Sequence, residues 1–285
     1  MKKMLRVLCA LLAALTLFPA AAEEEADWLF ADINPDFVAV YDDVAWNFPV
    51  DIMDMDPEFI ILVNKSMFLD EDYVPKGLVK MKSLKLDKQG NNQNGGVRQV
   101  DGTWQLREDC AKALVALCDA ARADGHELYL KSGYRSYYKQ AVMYENRYKK
   151  YGYDDGWVTK PGASDHQTGL GCDVVPKSWT DRGMNEDMAD EPEIQWMAEH
   201  CHEFGFIIRY PKDKQDITKI NYEPWHLRYV GVPVATYIME NDLCLEEFYE
   251  QLMAAVEEFI AAGGKESLVE GFIQTSAEDR YSHYK

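Results

Sequence analysis

Four residues in two short stretches of this 285-residue chain have the types and spacing for hydrolytic chemistry. SDHQTGLGCDVV, positions 164 to 175, sets His166 and Asp173 seven residues apart at the mouth of an apolar strand marked by Val174 and Val175. Gly169 and Gly171 loosen the approach. YEPWH, positions 222 to 226, sets Glu223 and His226 three apart in another strand-like segment. An imidazole or a carboxylate in a half-buried strand costs free energy unless a partner uses it. Two imidazoles and one carboxylate, with a fourth position open for water, make the ligand count of a catalytic zinc site. A further glutamate could then serve as base toward that water. On spacing alone the four residues could equally be solvated surface groups, and that alternative stays open at this point.

The elements that must hold these side chains are legible in outline. Apolar residues at 106, 110, 114, 117, 118 and 121 have the spacing of an amphipathic helix, which Gly125 stops. ELYLKSGYR (127 to 135) reads as a strand running into a glycine turn, and 136 to 150 as a helix with Ser136 as N-cap. Residues 191 to 204 read as a helix and GFIIRYP (205 to 211) as a strand. YEPWHLRYVG (222 to 231) reads as a second strand, interrupted at Pro224. Leu245, Phe248, Leu252, Val256 and Phe259 mark a helix over 245 to 262, ended by Gly263 and Gly264. Helices and strands mix without regular alternation, so the expected class is α+β rather than a doubly wound sheet. The run YYKQAVMYENRYKKYGY (137 to 153) reads as helical core packing, with a glycan-stacking surface as the alternative.

The first residues have the layout of a secretory signal peptide: Lys2, Lys3 and Arg6, an apolar run from Val7 to Phe18, then Ala20 to Ala22. Cleavage after Ala22 is expected, since the apolar run is well short of the ~20 residues a membrane anchor needs. The organisation read from the sequence is therefore a signal peptide at 1–22, an acidic, aromatic lead segment at 23–57, the main domain at 58–262 and a polar tail at 263–285. The formal net charge is −19. A nucleic-acid partner is excluded by that charge, because phosphate binding needs a basic face. No stable protein partner is implied. Cysteines 110, 118, 172, 201 and 244 form no CxxC pair, which argues against a cysteine-built zinc site. Cys110 and Cys118 fall on the apolar side of their helix and read as small packing residues.

SGYRSYYKQ, SDHQTGLGCDVV and YEPWHLRYVG, in this order, resemble the signatures of the D-alanyl-D-alanine carboxypeptidases of the VanY type. These are zinc peptidases of the bacterial cell wall, related to the hedgehog zinc domain. The similarity extends to LVNK…DYVPKGLV and RYPKDKQDITKINYEPWH, and runs from about Ile60 to the end of the helix at 262. It implies an α+β fold with a small antiparallel sheet carrying a zinc site and flanked by helices. It implies that His166, Asp173 and His226 are the zinc ligands and Glu223 the catalytic base. Arg135 would face the substrate's carbonyl or terminal carboxylate, with Gln140, Ser164 and Tyr210 holding the end of the peptide. Cys172, just before the ligand Asp173, departs from the family's usual small aliphatic residue and should point away from the metal.

The activity so implied is secreted, wall-facing removal of the terminal D-amino acid from peptidoglycan stem peptides. Alternatives within the class are an L,D-carboxypeptidase on tetrapeptide stems and an endopeptidase acting inside a cross-link. Outside the class stands a zinc-containing binding domain without turnover, against which Glu223 argues, since such a site needs no base.

Overall fold

The computed structural model describes residues 39–274. The expected signal peptide, the first part of the lead segment and the last eleven residues lie outside that range.

The chain opens with a hairpin of β1 (Ala39–Tyr41) and β2 (Val44–Trp46), then runs irregularly to β3 (Leu78–Lys80). β4 (Arg98–Gln99), β5 (Gln105–Arg107), α1 (Glu108–Ala123), β6 (Leu128–Ser132) and α2 (Tyr137–Tyr151) follow. A 3-10 turn at Asp165–Thr168 leads into β7 (Gly171–Pro176), α3 (Pro192–His200), β8 (Phe206–Ile208) and the single turn α4 (Gln215–Thr218). β9 (His226–Tyr229), α5 (Val232–Glu240), α6 (Leu245–Ala261) and α7 (Glu266–Gln274) complete the described chain. The class is α+β, as the irregular order of elements implies.

The main sheet has the order β4-β6-β7-β9-β8. Its pairings are antiparallel, as expected, with one addition at the edge: the two-residue strand β4 pairs parallel with β6. A parallel neighbour requires a crossover, and β5 with α1 supplies it. α1 buries Cys110, Leu114, Leu117, Cys118 and Ala121, the stripe read from the sequence, against Leu130, Val174 and Leu227 of the sheet. Ser136 caps α2 by accepting from Lys139 N, and Gly152 closes that helix at φ 82°.

A second core lies across β8. Phe206 and Ile208 face the first core and Ile207 the second, as the two-residue period of a strand requires. There Trp46, Phe48 and Ile52 pack with Phe248, Leu252 and Phe259 of α6 and with Val269 and Phe272 of α7. Two sequence expectations change accordingly. Residues 39–57 are part of a core rather than only lying on one. The first part of the expected polar tail is the helix α7, because Val269 and Phe272 fall three apart on one face and bury it.

α2 buries Gln140 alone, while Tyr138, Tyr148, Tyr151 and Tyr153 are exposed, so core packing does not absorb the tyrosine run. Tyr137 and Tyr144 instead line, with Phe68, Lys160 and Pro161, an open cavity of about 460 Å³ that contains none of the expected ligands. Among the described residues no helix is long and apolar enough to cross a membrane.

Candidate active site and metal centre

Strand register brings the first two ligand residues together. β7 and β9 place Asp173 opposite His226, and directly opposed residues share one face with Cβ atoms ~4.5–5.5 Å apart. The preceding pair, Cys172 with Leu227, belongs to the other face and is buried in the first core. His166 arrives on the 3-10 turn, which Gly169 closes at φ 71°, a conformation that suits glycine. Its ring meets that of His226 edge to face, with centroids 4.8 Å apart.

His166 Nδ1 lies 2.8 Å from the carbonyl oxygen of Gly133. That contact fixes the proton on Nδ1 and leaves the Nε2 lone pair free. Gly133 can sit there because it has no side chain: a Cβ would meet Gln105 O at 2.7 Å. His166 Nε2 stands 3.4 Å from Asp173 Oδ2, and His226 Nδ1 stands 3.1 Å from Asp173 Oδ1. One ligand atom from each residue lies within 4.8 Å of the others, and all three residues are buried.

This donor set fits zinc. Ligands ~2.0–2.2 Å from a tetrahedral ion stand roughly 3.5 Å from one another, close to the two separations measured here. A protonated His166 is a poor substitute for the ion: burial, and then the charge of Arg135, push its imidazole down to about 4. His226 Nε2 is buried without a hydrogen-bond partner, so the Nδ1 side of the ring is the engaged one. Burial opposes the charge on Asp173, yet the two imidazoles hold its carboxyl below the usual carboxylate range. No other group of three potential ligands occurs among the described residues, so His200 and His202 form no second centre.

Glu223 sits at the rim of the trio, its Oε2 3.6 Å from His226 Nδ1. Burial and the nearby charge of Asp173 push its carboxyl well above the usual range. A carboxylate so placed accepts a proton readily, which is what a general base needs. Arg135 is anchored by its backbone N–H to His166 O at 3.1 Å. Its Nη1 contacts only the soft sulfur of Met143, at 3.0 Å, and its Nε is buried without a partner. No carboxylate forms an ion pair with it among the described residues. A guanidinium left in that state beside Glu223 and Asp173 is available to an anion brought by a ligand.

The three residues expected to hold the peptide end fall out differently. Gln140 Nε2 is engaged by Thr159 O at 2.7 Å, while its Oε1 is buried without a partner. Tyr210 directs its hydroxyl to Asp165 Oδ2 at 3.4 Å and lays its ring 5.1 Å from that of His226. Ser164 precedes the 3-10 turn as its N-cap and makes no side-chain capping bond there. The donors of Gln140 and Tyr210 are thus turned to protein groups in this state.

Sequence reasoning missed Gly133, Asp165, Arg209 and Arg228. The two arginines carried a signal: each sits in an apolar strand-like run, IIRYP or HLRYVG, where an unpaired charge would be prohibitive. Gly133 acts through its carbonyl, which no residue type reveals.

All five described cysteines are free and buried. Burial pushes Cys118, Cys201 and Cys244 up to about 12. Contact with Cys110, and then burial, raise Cys172 well above the usual range. The reactive thiolate is therefore scarce at neutral pH. Peptide mapping after treatment with a thiol reagent should find all five unmodified in the folded protein and modified once it is unfolded. Labelling of Cys172 in the folded protein would contradict this placement.

Comparison with known proteins agrees with that geometry. A family model described as VanY, D-alanyl-D-alanine carboxypeptidase, matches residues 103–232. The chain is 40% identical over 206 residues to the putative carboxypeptidase YodJ of Bacillus subtilis, covering 69% of each chain. It is 42% identical over 143 residues to a D-alanyl-D-alanine carboxypeptidase of Enterococcus faecalis, covering 46% of this chain and 51% of that one. Among solved structures, the LdcB LD-carboxypeptidase matches with a TM-score of 0.57 at 36% identity, over 79% of this chain and 95% of that one. The vancomycin resistance D,D-pentapeptidase VanY, solved in complex with Zn(II), matches with a TM-score of 0.50 at 33% identity, over 67% and 98%. One of those structures is described as an LD-carboxypeptidase and the other as a D,D-pentapeptidase with Zn(II), and the trio and Glu223 lie within the residues the family model matches. The chain belongs to the VanY-type D-alanyl-D-alanine carboxypeptidase family and is a zinc metallopeptidase.

Proposed function

We propose that the protein acts outside the cytoplasm, after cleavage of its leader, and removes the terminal D-alanine from peptidoglycan stem peptides. The observation that carries the carboxypeptidase reading is Arg135, a guanidinium beside the site with a buried, unpartnered Nε and no carboxylate of its own. A substrate carboxylate leaving water needs charge-assisted hydrogen bonds to offset its desolvation. An internal peptide bond would bring no such anion.

Zinc, when held by His166, Asp173 and His226, would supply the Lewis acidity that acidifies water and polarises a carbonyl. Glu223 takes the proton from the attacking water and returns it to the leaving amine. Arg135 orients the chain end and, as a fixed cation, favours negative charge developing beside it. The Gly133 carbonyl holds the His166 proton on Nδ1 and leaves Nε2 free to ligate.

The relative solved as an LD-carboxypeptidase favours a second reading, cleavage of the L,D bond of tetrapeptide stems. Mass analysis of products from synthetic penta- and tetrapeptide stems separates the two. The same assay, run on a stem ending in D-Ala-D-Ala and on its C-terminal amide, tests the carboxylate requirement. Loss of one charge-assisted contact, worth about 1.5–3 kcal/mol, should slow the amide at least ~10-fold. Equal rates on acid and amide, or faster cutting of a C-terminally extended peptide, would favour the endopeptidase.

A further inference from the structure

Directly behind the metal trio lies a group of four fully or nearly buried charges that the proposed chemistry does not use. Asp165, the residue before His166, is wholly buried, as are Arg209 and Arg228. Arg209 Nε donates to Asp165 Oδ2 at 2.6 Å, and Arg228 Nη1 donates to Asp165 Oδ1. The remaining donors are also taken. Arg209 grips Glu246 of α6 with Nη1 and Nη2, both at 2.7 Å, and reaches Val63 O at 3.2 Å. Arg228 gives Nη2 to Phe59 O and Ile61 O at 2.9 and 2.8 Å, and Nε to Tyr229 O at 3.1 Å. Two positive and two negative charges cancel, and every guanidinium nitrogen is satisfied.

Such an assembly is weak evidence for stability, because well-packed apolar residues often serve a core as well or better. Its geometry points to a different use. Arg228 is two residues from His226 on the same strand, so the two side chains share a face of β9. The residue opposite Arg228 is Gly171, and a Cβ there would come within 3.0 Å of Asp165 Cβ. The 3-10 turn is thereby seated on β7 with Asp165 against the strand. Tyr210, next to Arg209, reaches Asp165 with its hydroxyl and lays its ring beside His226. Asp165 thus touches Arg228 and Tyr210, two neighbours of His226, and is itself bonded in sequence to His166.

We infer that Asp165 is a positioning residue: clamped between Arg209 and Arg228, its carboxylate fixes the turn that presents His166 against the strand that presents His226. The inference rests on the zinc reading of the trio. A zinc site selects its ion through ligand geometry, and the partners that orient the ligands typically contribute 10–100-fold in metal affinity. Glu246 completes the charge balance from the far side of Arg209 and touches neither ligand-bearing segment, which makes it the internal control.

The test compares the wild type with Asp165→Asn, Asp165→Glu and Glu246→Gln, reading zinc affinity by competition with a chromophoric chelator and metal-free thermal stability by circular dichroism. Asp165→Asn should lower zinc affinity about 10–100-fold, and Asp165→Glu, which restores the charge, should recover most of it. Glu246→Gln should lower the thermal midpoint while leaving zinc affinity unchanged. A fifth protein, with Asp165→Leu and Arg228→Met together, removes one charge of each sign and so keeps the buried balance if Asp165→Asn alone fails to fold. It should regain thermal stability yet bind zinc as weakly as expected of Asp165→Asn. Wild-type zinc affinity in Asp165→Asn or in the double variant, or equal losses in Glu246→Gln, would make the cluster merely structural and overturn the inference. Failure of the wild type itself to bind zinc would instead overturn the metal site.

Discussion

Glu223→Gln should leave zinc in place and abolish nearly all turnover. The amide keeps the shape of the side chain but cannot accept the water's proton, and general-base catalysis is typically worth ~10² to 10⁴-fold. Glu223 is not one of the three ligands, and its Oε2 lies 3.6 Å from His226 Nδ1, so metal content should not fall. Stability should move the other way. In the metal-free protein burial and Asp173 push the Glu223 carboxyl well up. An acid whose pKa rises on folding weakens the folded state at every pH above its unfolded value. The neutral amide removes that penalty, so the metal-free thermal midpoint at neutral pH should equal or exceed that of the wild type. Lower activity with undiminished stability is the signature of a residue kept for chemistry. Near wild-type turnover in a zinc-loaded Glu223→Gln protein would place the base elsewhere.

The second large effect is loss of metal in His226→Ala. This change removes one of three protein ligands and also the Nδ1 partner of Asp173, 3.1 Å away. Partners outside the ligand set contribute about 10–100-fold in affinity, so loss of a ligand should exceed ~100-fold. Elemental analysis should find about one zinc per wild-type chain and far less in the variant after dialysis against a mild chelator. The alanine leaves Asp173 beside Glu223 with less to balance it, so the variant should also unfold more readily as pH rises from acid to neutral. Full metal retention in His226→Ala would remove the ligand assignment.

The four candidate residues stood out in the sequence because each carried a local contradiction, and their roles as ligands and base came from the resemblance to the VanY-type family. His166, Asp173, Glu223 and His226 are polar groups set into runs whose neighbours, Val174 and Val175 or Trp225 and Leu227, belong to a core. The spacing within each run could not show that β7 and β9 pair with Asp173 opposite His226. Register depends on how two distant strands meet, and a slip of one residue would turn every side chain to the opposite face. α1 and α6 were readable for a similar reason: their apolar stripes repeat at the helical period within a single segment. The β1–β2 hairpin and α7 were not, since strands of three residues and a nine-residue helix carry too few repeats, and their burial depends on each other across the second core.

By itself the sequence determined the chemistry available: two imidazoles and two carboxylates set among apolar neighbours, an arginine in a glycine turn, and a strongly acidic charge balance. Those are properties of residue types and near neighbours, and they survive any folding of the chain. Tertiary structure alone decided which ring nitrogens are engaged, through the carbonyl of Gly133 on His166 Nδ1 and the cross-strand contact of Asp173 with His226 Nδ1. It also turned Gln140 and Tyr210 toward Thr159 and Asp165, and it enclosed Asp165 between two arginines 44 and 63 residues away. The physical reason is the same in each case: a hydrogen bond a few ångströms long selects among orientations only when the backbone has already brought both partners within reach.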